Sequence, residues 1–77
     1  MPRLIPISGK EMCKLVEKLG FEKDHQRGSH CIYKHSDGRR TVVPIHGNED
    51  IIISLLSDIL KQIKLSREEY DKLRQEI

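Results

Sequence analysis

The sequence of 77 residues has no tryptophan and only three other aromatic residues, Phe21, Tyr33 and Tyr70. Proteins that bind single strands by base stacking need exposed aromatic side chains, so this scarcity argues against that class of site. A chain of this length buries only about 60% of the surface that its unfolded state exposes. We therefore expect a small core and a shallow surface site rather than a large enclosed substrate pocket.

Cysteine is also scarce, and long apolar runs are absent. Cys13 and Cys31 lie far apart in the sequence and form no C-x-x-C motif. No apolar run approaches the roughly 20 residues of a membrane helix. Residues 1–11, MPRLIPISGKE, lack the apolar segment of a signal peptide. These absences predict a cytoplasmic protein with reduced thiols and no membrane partner.

The net charge is only +2, but the basic residues are unevenly distributed. Residues 1–46 carry nine lysines and arginines against five acidic residues, and they contain all four histidines. Residues 47–77 are slightly acidic. The first part of the chain therefore holds the surface that can meet a phosphate backbone. On charge alone, a solvated surface of mixed charge is the simpler interpretation.

The first predicted element is a helix over Gly9–Leu19. Ser8-Gly9-Lys10-Glu11 has the pattern of a capping box, in which the serine and the glutamate satisfy each other's backbone amides. Apolar residues then recur at helical spacing, and Gly20 suits the position just past the helix end.

Three strands are predicted next, over Phe21–Gln26, His30–His35 and Arg40–Ile45. Gly28 separates the first two strands, and Ser36-Asp37-Gly38 separates the last two. An Asp-Gly pair accepts the positive φ angles of a tight hairpin turn. The strands are therefore expected to form an antiparallel sheet.

Two further helices follow the strands. An apolar stripe at helical spacing predicts a long helix that packs against the sheet. The stripe comprises Ile51, Ile52, Leu55, Leu56, Ile59, Leu60 and Ile63. A second capping box, Ser66-Arg67-Glu68-Glu69, opens a short last helix with Tyr70, Leu73 and Ile77 on one face.

The predicted fold class is therefore α+β, with one domain over residues 1–77 in the order α-β-β-β-α plus the short C-terminal helix. A three-stranded antiparallel sheet carries helices on one face and leaves the other face to solvent. Ile53 and Ile45 exceed what the core pattern needs, which makes them candidates for contact with another protein.

An ordered set of segments resembles the HicA-type toxins of bacterial and archaeal toxin–antitoxin pairs. SGKEMCKLVEKLGF resembles the first helix of that family, and LSREEY resembles its tail. RGSHCIYKHSDGRRTVVPIHGN resembles its central hairpin, with the Gly-Ser-His, Asp-Gly-Arg and Val-Pro-x-His-Gly motifs. The resemblance implies a fold like the double-stranded-RNA-binding domain, mRNA interferase activity and a HicB-type antitoxin partner.

Residues 49–54, EDIIIS, depart from the family pattern. Relatives commonly carry lysine, glycine and threonine in this segment. The segment here is more acidic and more apolar, which argues against an RNA contact at the start of the second long helix. It also allows a different partner surface.

The resemblance further implies that His30, the histidine of Gly-Ser-His, is catalytic. RNA is cut without a metal when its 2′-hydroxyl attacks the adjacent phosphate, which requires a base, an acid and nearby positive charge. Histidine suits the proton transfers, and arginine and lysine suit the phosphate charge. The candidate phosphate-binding residues are Arg27, Gly28, Ser29, Lys34, Arg39 and Arg40. Without the resemblance, Gly28 and Ser29 would be interpreted as a simple loop.

The second proton-transfer group is left open by the sequence. His46 follows the third strand and could approach His30, whereas His35 is predicted on the opposite strand face. Both can equally be solvated or structural histidines. A zinc site formed by His25, His30, His35 and Cys31 is disfavoured, because zinc needs four converging ligands and these residues lie on different strands or faces. No metal or cofactor is expected.

Two other function classes fit the same residues. A double-stranded-RNA-binding module without catalysis reads RNA shape and does not need His30. A protein-interaction domain would show no salt-dependent affinity for RNA, whereas phosphate contacts give a steep salt dependence.

Overall fold

The computed structural model describes residues 3–77 and confirms the predicted order of elements. The helices are α1 (Gly9–Lys18), α2 (Ile53–Ile63) and α3 (Arg67–Arg74), and the strands are β1 (Glu22–Arg27), β2 (His30–Lys34) and β3 (Arg40–Pro44). The strands form one antiparallel sheet in the order β1-β2-β3, so β2 is central. The α+β class and the fold of the double-stranded-RNA-binding domain are confirmed.

Both predicted capping boxes are present. The hydroxyl of Ser8 accepts a hydrogen bond from the Glu11 amide at 3.2 Å, and the Glu11 carboxylate accepts one from the Ser8 amide at 3.0 Å. Ser66 and Glu69 repeat this arrangement at α3. The hydrogen bonds from the backbone lower the pKa of both glutamates. By contrast, α2 begins after Ile52, which provides no side-chain cap.

The core lies between the helices and one face of the sheet. Cys31, Tyr33 and Val43 point from the strands toward the helices and are at most 2% exposed. They pack with buried residues of the helices and of the N-terminal segment, namely Leu4, Ile7, Met12, Leu15, Val16, Leu56, Ile59, Leu60, Ile63 and Tyr70. Successive strand residues point to opposite faces. The alternate residues lie on the open face of the sheet, where His30, Lys34 and Val42 are exposed and Ile32 is buried.

The apolar stripe before and along α2 is only partly buried. The prediction that Ile52 belongs to the buried stripe was wrong, because its side chain is 68% exposed. The segment before α2 is extended rather than helical, and the amide of Ile51 donates to the carbonyl of Ile7 at 2.9 Å. In extended backbone, the burial of Ile51 turns Ile52 outward. Of the two residues predicted to contact another protein, Ile53 is exposed, whereas Ile45 is partly buried against the core. Within residues 3–77, no helix has both the length and the apolar character needed to cross a membrane.

The first turn of α1 lies directly against the end of β3. A Cβ atom at Gly9 would lie 2.1 Å from the carbonyl oxygen of Pro44, and 3.0 Å from the Cα of Ile45. Neither atom belongs to a side chain that can move aside. The close approach of two backbones therefore requires glycine at this position.

Substitution of Gly9 by alanine tests this contact. In a helix, Ala is normally more stable than Gly by about 0.5–1 kcal/mol. Here we expect the opposite sign, with a loss of about 1–3 kcal/mol in the free energy of unfolding, because the added methyl group must displace backbone. Urea denaturation measures the loss, and the exposed neighbour Lys10→Ala is the control. Equal stability of the two variants would contradict the close contact.

A small polar cluster lies within the core, between α1 and β2. The hydroxyl of Tyr33 donates to the carboxylate of Glu17 at 2.5 Å, and the thiol of Cys13 lies beside Tyr33 and Cys31. Both cysteines are buried and free. Burial raises the pKa of the Cys13 thiol to about 11, and burial followed by the bond to Glu17 raises the pKa of Tyr33.

The raised thiol pKa predicts a loss of stability in alkaline solution. The unfolded thiol titrates near 9.0 and the folded thiol near 11, so its contribution is complete below pH 9 and decreases as the pH rises toward 11. Cys13→Ala should therefore reduce the dependence of the unfolding free energy on pH between these values. Urea denaturation of the wild type and of Cys13→Ala from pH 8 to 11 measures how steeply the unfolding free energy of each protein changes with pH. Identical slopes would show that the fold does not raise the pKa of this thiol.

Candidate active site

The candidate site begins at the tight turn between β1 and β2. Arg27 and His30 are direct partners in the strand register, so Gly28 and Ser29 form a two-residue loop. Gly28 has a φ of 55°, a left-handed value that glycine adopts without strain in the first central position of a two-residue hairpin loop. A Cβ at Gly28 would meet no atom within 4 Å. Glycine is therefore favoured here by the positive φ, and not by a lack of space for a side chain.

His30 is held from both sides because β2 is the central strand. It pairs with Arg27 on β1 and with Pro44 on β3. Just before it, the carbonyl of Ser29 accepts a hydrogen bond from the Ile45 amide at 2.7 Å. Directly opposed residues in antiparallel strands share a face, with Cβ atoms about 5 Å apart. The exposed imidazole of His30 therefore lies beside the side chain of Arg27 on the open face.

His30 also forms part of a groove between the end of the sheet and the segment that leads to α2. The groove has a volume of about 270 Å³ and is lined by His30, Pro44, His46, Glu49, Asp50, Ile51, Ile52 and Leu55. The strand-exit position predicted for His46 thus brings it into the same groove as His30. A turn holds this loop, because the Glu49 amide donates to the His46 carbonyl at 3.0 Å. Gly47 within it has a φ of 57°.

The residues predicted to bind phosphate lie in separate parts of the structure. Arg27 lies beside His30 and is followed by the turn residues Gly28 and Ser29. Lys34 and Arg40 oppose each other across β2 and β3. They lie four residues along the strand from His30, or roughly 13 Å away at the usual rise per residue. The open face therefore has one cation at the His30 end and two at the far end.

A carboxylate partly neutralises the far end of this face. Asp24 Oδ2 lies 2.7 Å from His25 Nδ1 and 3.5 Å from Lys34 Nζ. The hydrogen bond with His25, followed by smaller effects of Lys34, lowers the pKa of Asp24. Because both side chains of the Asp24–Lys34 pair are exposed to solvent, the pair can open at little cost.

Arg39 is separated from the other predicted phosphate ligands. Its guanidinium lies 5.1 Å from the centre of the Phe21 ring, and its Nε donates to the Asp37 carboxylate at 2.8 Å. Its Nη1 donates to the carbonyl of Ile63 in the last turn of α2. A cation at the C-terminal end of a helix is stabilising, and the bond satisfies a terminal carbonyl. Arg39 therefore connects the β2–β3 hairpin to the C-terminal end of α2.

The histidines on the strands do not converge. His35 packs edge-on against Phe21, with ring centres 5.0 Å apart, and its Nδ1 accepts a hydrogen bond from the Asp37 amide. It therefore has a structural environment away from His30, as the strand periodicity predicts. His25 is bound to Asp24 on β1. Within residues 3–77, no three His, Cys, Asp or Glu side chains are placed to hold a metal ion together.

Comparison with known proteins assigns the family. The family described as the HicA toxin of bacterial toxin–antitoxin systems matches residues 9–65, about three quarters of the chain. The chain belongs to the HicA toxin family. It is therefore the toxin component of such a system, and an antitoxin is its implied partner. The search of curated proteins found no match to this sequence.

The different surroundings of two adjacent arginines in this HicA-family fold give a direct test. Arg39→Ala should lower the free energy of unfolding by about 2 kcal/mol, because it removes charged hydrogen bonds and leaves the Ile63 carbonyl without its partner. Arg40→Ala should change stability by less than about 0.5 kcal/mol, as expected for an exposed residue. Urea denaturation measures both. A stable Arg39→Ala variant would return Arg39 to the candidates for RNA binding.

Proposed function

We propose that this toxin is a metal-independent endoribonuclease that cleaves mRNA, with His30 as a proton-transfer group. The observation that carries the proposal is the groove that His30 shares with His46. Both imidazoles are exposed, and Arg27 lies across the hairpin from His30. The site is open enough to admit a polymer at the end of the sheet.

Two imidazoles suffice for the proton transfers of this reaction. A neutral imidazole takes the proton of the 2′-hydroxyl while the 2′-oxygen forms a bond to the adjacent phosphorus. A protonated imidazole gives its proton to the 5′-oxygen as the phosphorus–oxygen bond breaks. The products are a 2′,3′-cyclic phosphate and a 5′-hydroxyl. Histidine titrates close to neutral pH, so both forms are available under the same conditions. We assign one role to His30 and the other to His46.

The positive charges of the open face support binding of the RNA backbone. Arg27 is the cation closest to His30 and suits the charge that develops on the reacting phosphate. The exposed Gly28 and the half-buried Ser29 form the same turn and contribute backbone or hydroxyl donors. Lys34 and Arg40 hold phosphates further along the strand.

The antitoxin partner is proposed to be of the HicB type and to cover this groove. Ile52 and Ile53 are 68% and 46% exposed beside it, and exposed apolar side chains are typical of protein contact sites. Such a cover would bury the apolar surface and block access of RNA to His30. Both the toxin and its mRNA substrate are proposed to lie in the cytoplasm.

Histidine substitutions test the catalytic assignment. RNA cleavage by the wild-type protein is measured in the presence of a metal chelator, beside His30→Ala, His46→Ala and His25→Ala. General acid–base catalysis contributes about 10²–10⁴-fold to rate, so His30→Ala and His46→Ala should each lower the rate by at least about 100-fold. His25→Ala is the matched control, because His25 is an exposed histidine outside the groove.

The folded state of each variant is checked by circular dichroism and urea denaturation. Equal cleavage by the wild type and His30→Ala would contradict the assignment of His30. If only His46→Ala keeps its activity, the second proton-transfer group is another residue. No cleavage by the folded wild type, combined with salt-dependent RNA binding, would support the alternative of a non-catalytic RNA-binding module.

A further inference from the structure

The groove beside His30 contains acidic and aliphatic side chains, and a phosphate site needs neither kind. Glu49 and Asp50 line it, and neither carboxylate forms a side-chain hydrogen bond or ion pair with residues 3–77. Carboxylates at this position repel the RNA backbone. Their hydrogen-bonding capacity is available to a ligand that carries N–H donors.

Four other residues that line the groove are aliphatic. Ile51 and Ile52, just before α2, and Leu55 in its first turn line one side, and Pro44 lines the side of the sheet. Ile52 is 68% exposed, so this surface is accessible to a ligand. A group that fits such walls is largely apolar on its faces and polar at its edge. A nucleobase has this combination.

The size and the exposed rings of the groove also suit a single base. Its volume of about 270 Å³ is below the roughly 300–1,000 Å³ of pockets that enclose drug-sized ligands. The three aromatic residues of the chain, Phe21, Tyr33 and Tyr70, are at most 2% exposed and cannot stack on a base. RNA-binding proteins also stack unpaired bases on histidine. The imidazoles of His30 and His46 are exposed and line the groove.

We propose that this groove binds one unpaired nucleobase next to the scissile phosphate and selects bases that carry an amino group, with guanine preferred. The inference rests on the proposed ribonuclease function and adds the specificity determinants Glu49 and Asp50 to it. Guanine presents its N1–H and N2–H₂ donors side by side to one carboxylate. Adenine and cytosine present a single amino group, and uracil presents one N–H between two carbonyl oxygens that a carboxylate repels.

The cleavage experiment uses an unstructured RNA with a randomised segment, and the cut ends are mapped by sequencing in a metal chelator. Four short RNAs that differ only in the base beside the mapped cut are then compared. A bidentate contact to a base discriminates by at least about fivefold, so the wild type should cut the guanine RNA at least that much faster than the uracil RNA. The doubly neutralised variant Glu49→Gln/Asp50→Asn should lose this preference and cut the uracil RNA faster than the wild type does. The matched control, Asp58→Asn/Glu68→Gln, removes the same charge from exposed positions outside the groove.

A binding experiment separates this inference from the proposed function. Oligonucleotides with 2′-O-methyl groups cannot undergo attack by the 2′-oxygen, so their affinity does not depend on catalysis. Fluorescence anisotropy should show tighter binding of the guanine oligonucleotide than of the uracil one, and this difference should vanish in Glu49→Gln/Asp50→Asn. Loss of cleavage by His30→Ala with this base preference intact in binding would support both proposals.

Two results would overturn the nucleobase site. One is His30-dependent cleavage without any base preference, which would leave the ribonuclease function in place. The other is a base preference that the carboxylate substitutions do not change in cleavage or binding.

Discussion

The geometry of the site depends on the backbone pairing at one end of the central strand. His30 is bonded into the sheet between Arg27 on one side and Pro44 on the other. A two-residue turn fixes the first pair. The second is fixed by the packing of Gly9 against the Pro44 carbonyl, because the first turn of α1 leaves no space for that strand end to shift. The catalytic candidate is therefore placed by regular secondary structure, which holds a functional group more accurately than a flexible loop does.

The same register arranges the chemistry of the open face along one direction. Arg27 meets His30 at one end, and Lys34 opposes Arg40 at the other. The exposed Val42 lies between these ends on β3. The cations lie along the open face, with the Asp24 carboxylate beside Lys34, whereas the carboxylates of Glu49 and Asp50 lie in the groove past the end of the sheet. Under the proposed function, attraction along the face and repulsion in the groove would direct the RNA backbone to the face and the base to the groove.

Local sequence patterns predicted most of the fold. The details that they missed concern residues whose positions depend on long-range contacts. The capping boxes at Ser8 and Ser66 and the Asp37-Gly38 turn are local patterns, and the structure has all of them. Arg39 was grouped with Arg40 because both are basic neighbours beside the same turn. The contacts of Arg39 with Asp37, Phe21 and the Ile63 carbonyl separate it from Arg40, and strand alternation also indicates that adjacent residues point to opposite faces.

The groove itself was beyond prediction from the sequence, because it forms between two segments whose relative path no local pattern specifies. The pairing of Ile51 with Ile7 draws the segment before α2 into extended backbone, which turned Ile52 outward against its helical periodicity. The available signal was the departure of residues 49–54 from the family pattern. It marked the segment as unusual without showing that the segment borders His30.

Departures from locally favourable sequence within residues 3–77 concentrate around this groove. Of the three helices, only α2 lacks a side-chain cap. The exposed Ile52 and the carboxylates of Glu49 and Asp50 belong to the same short segment. The left-handed conformation of Lys64 is a further departure, but it ends α2 by directing its amide to the Leu60 carbonyl and needs no functional reason. Proteins violate local rules mainly at functional sites, so this clustering supports a ligand at the groove. A domain of this size has a small core and therefore a small free energy of unfolding. The capping boxes of α1 and α3 and the close contact at Gly9 add to that stability.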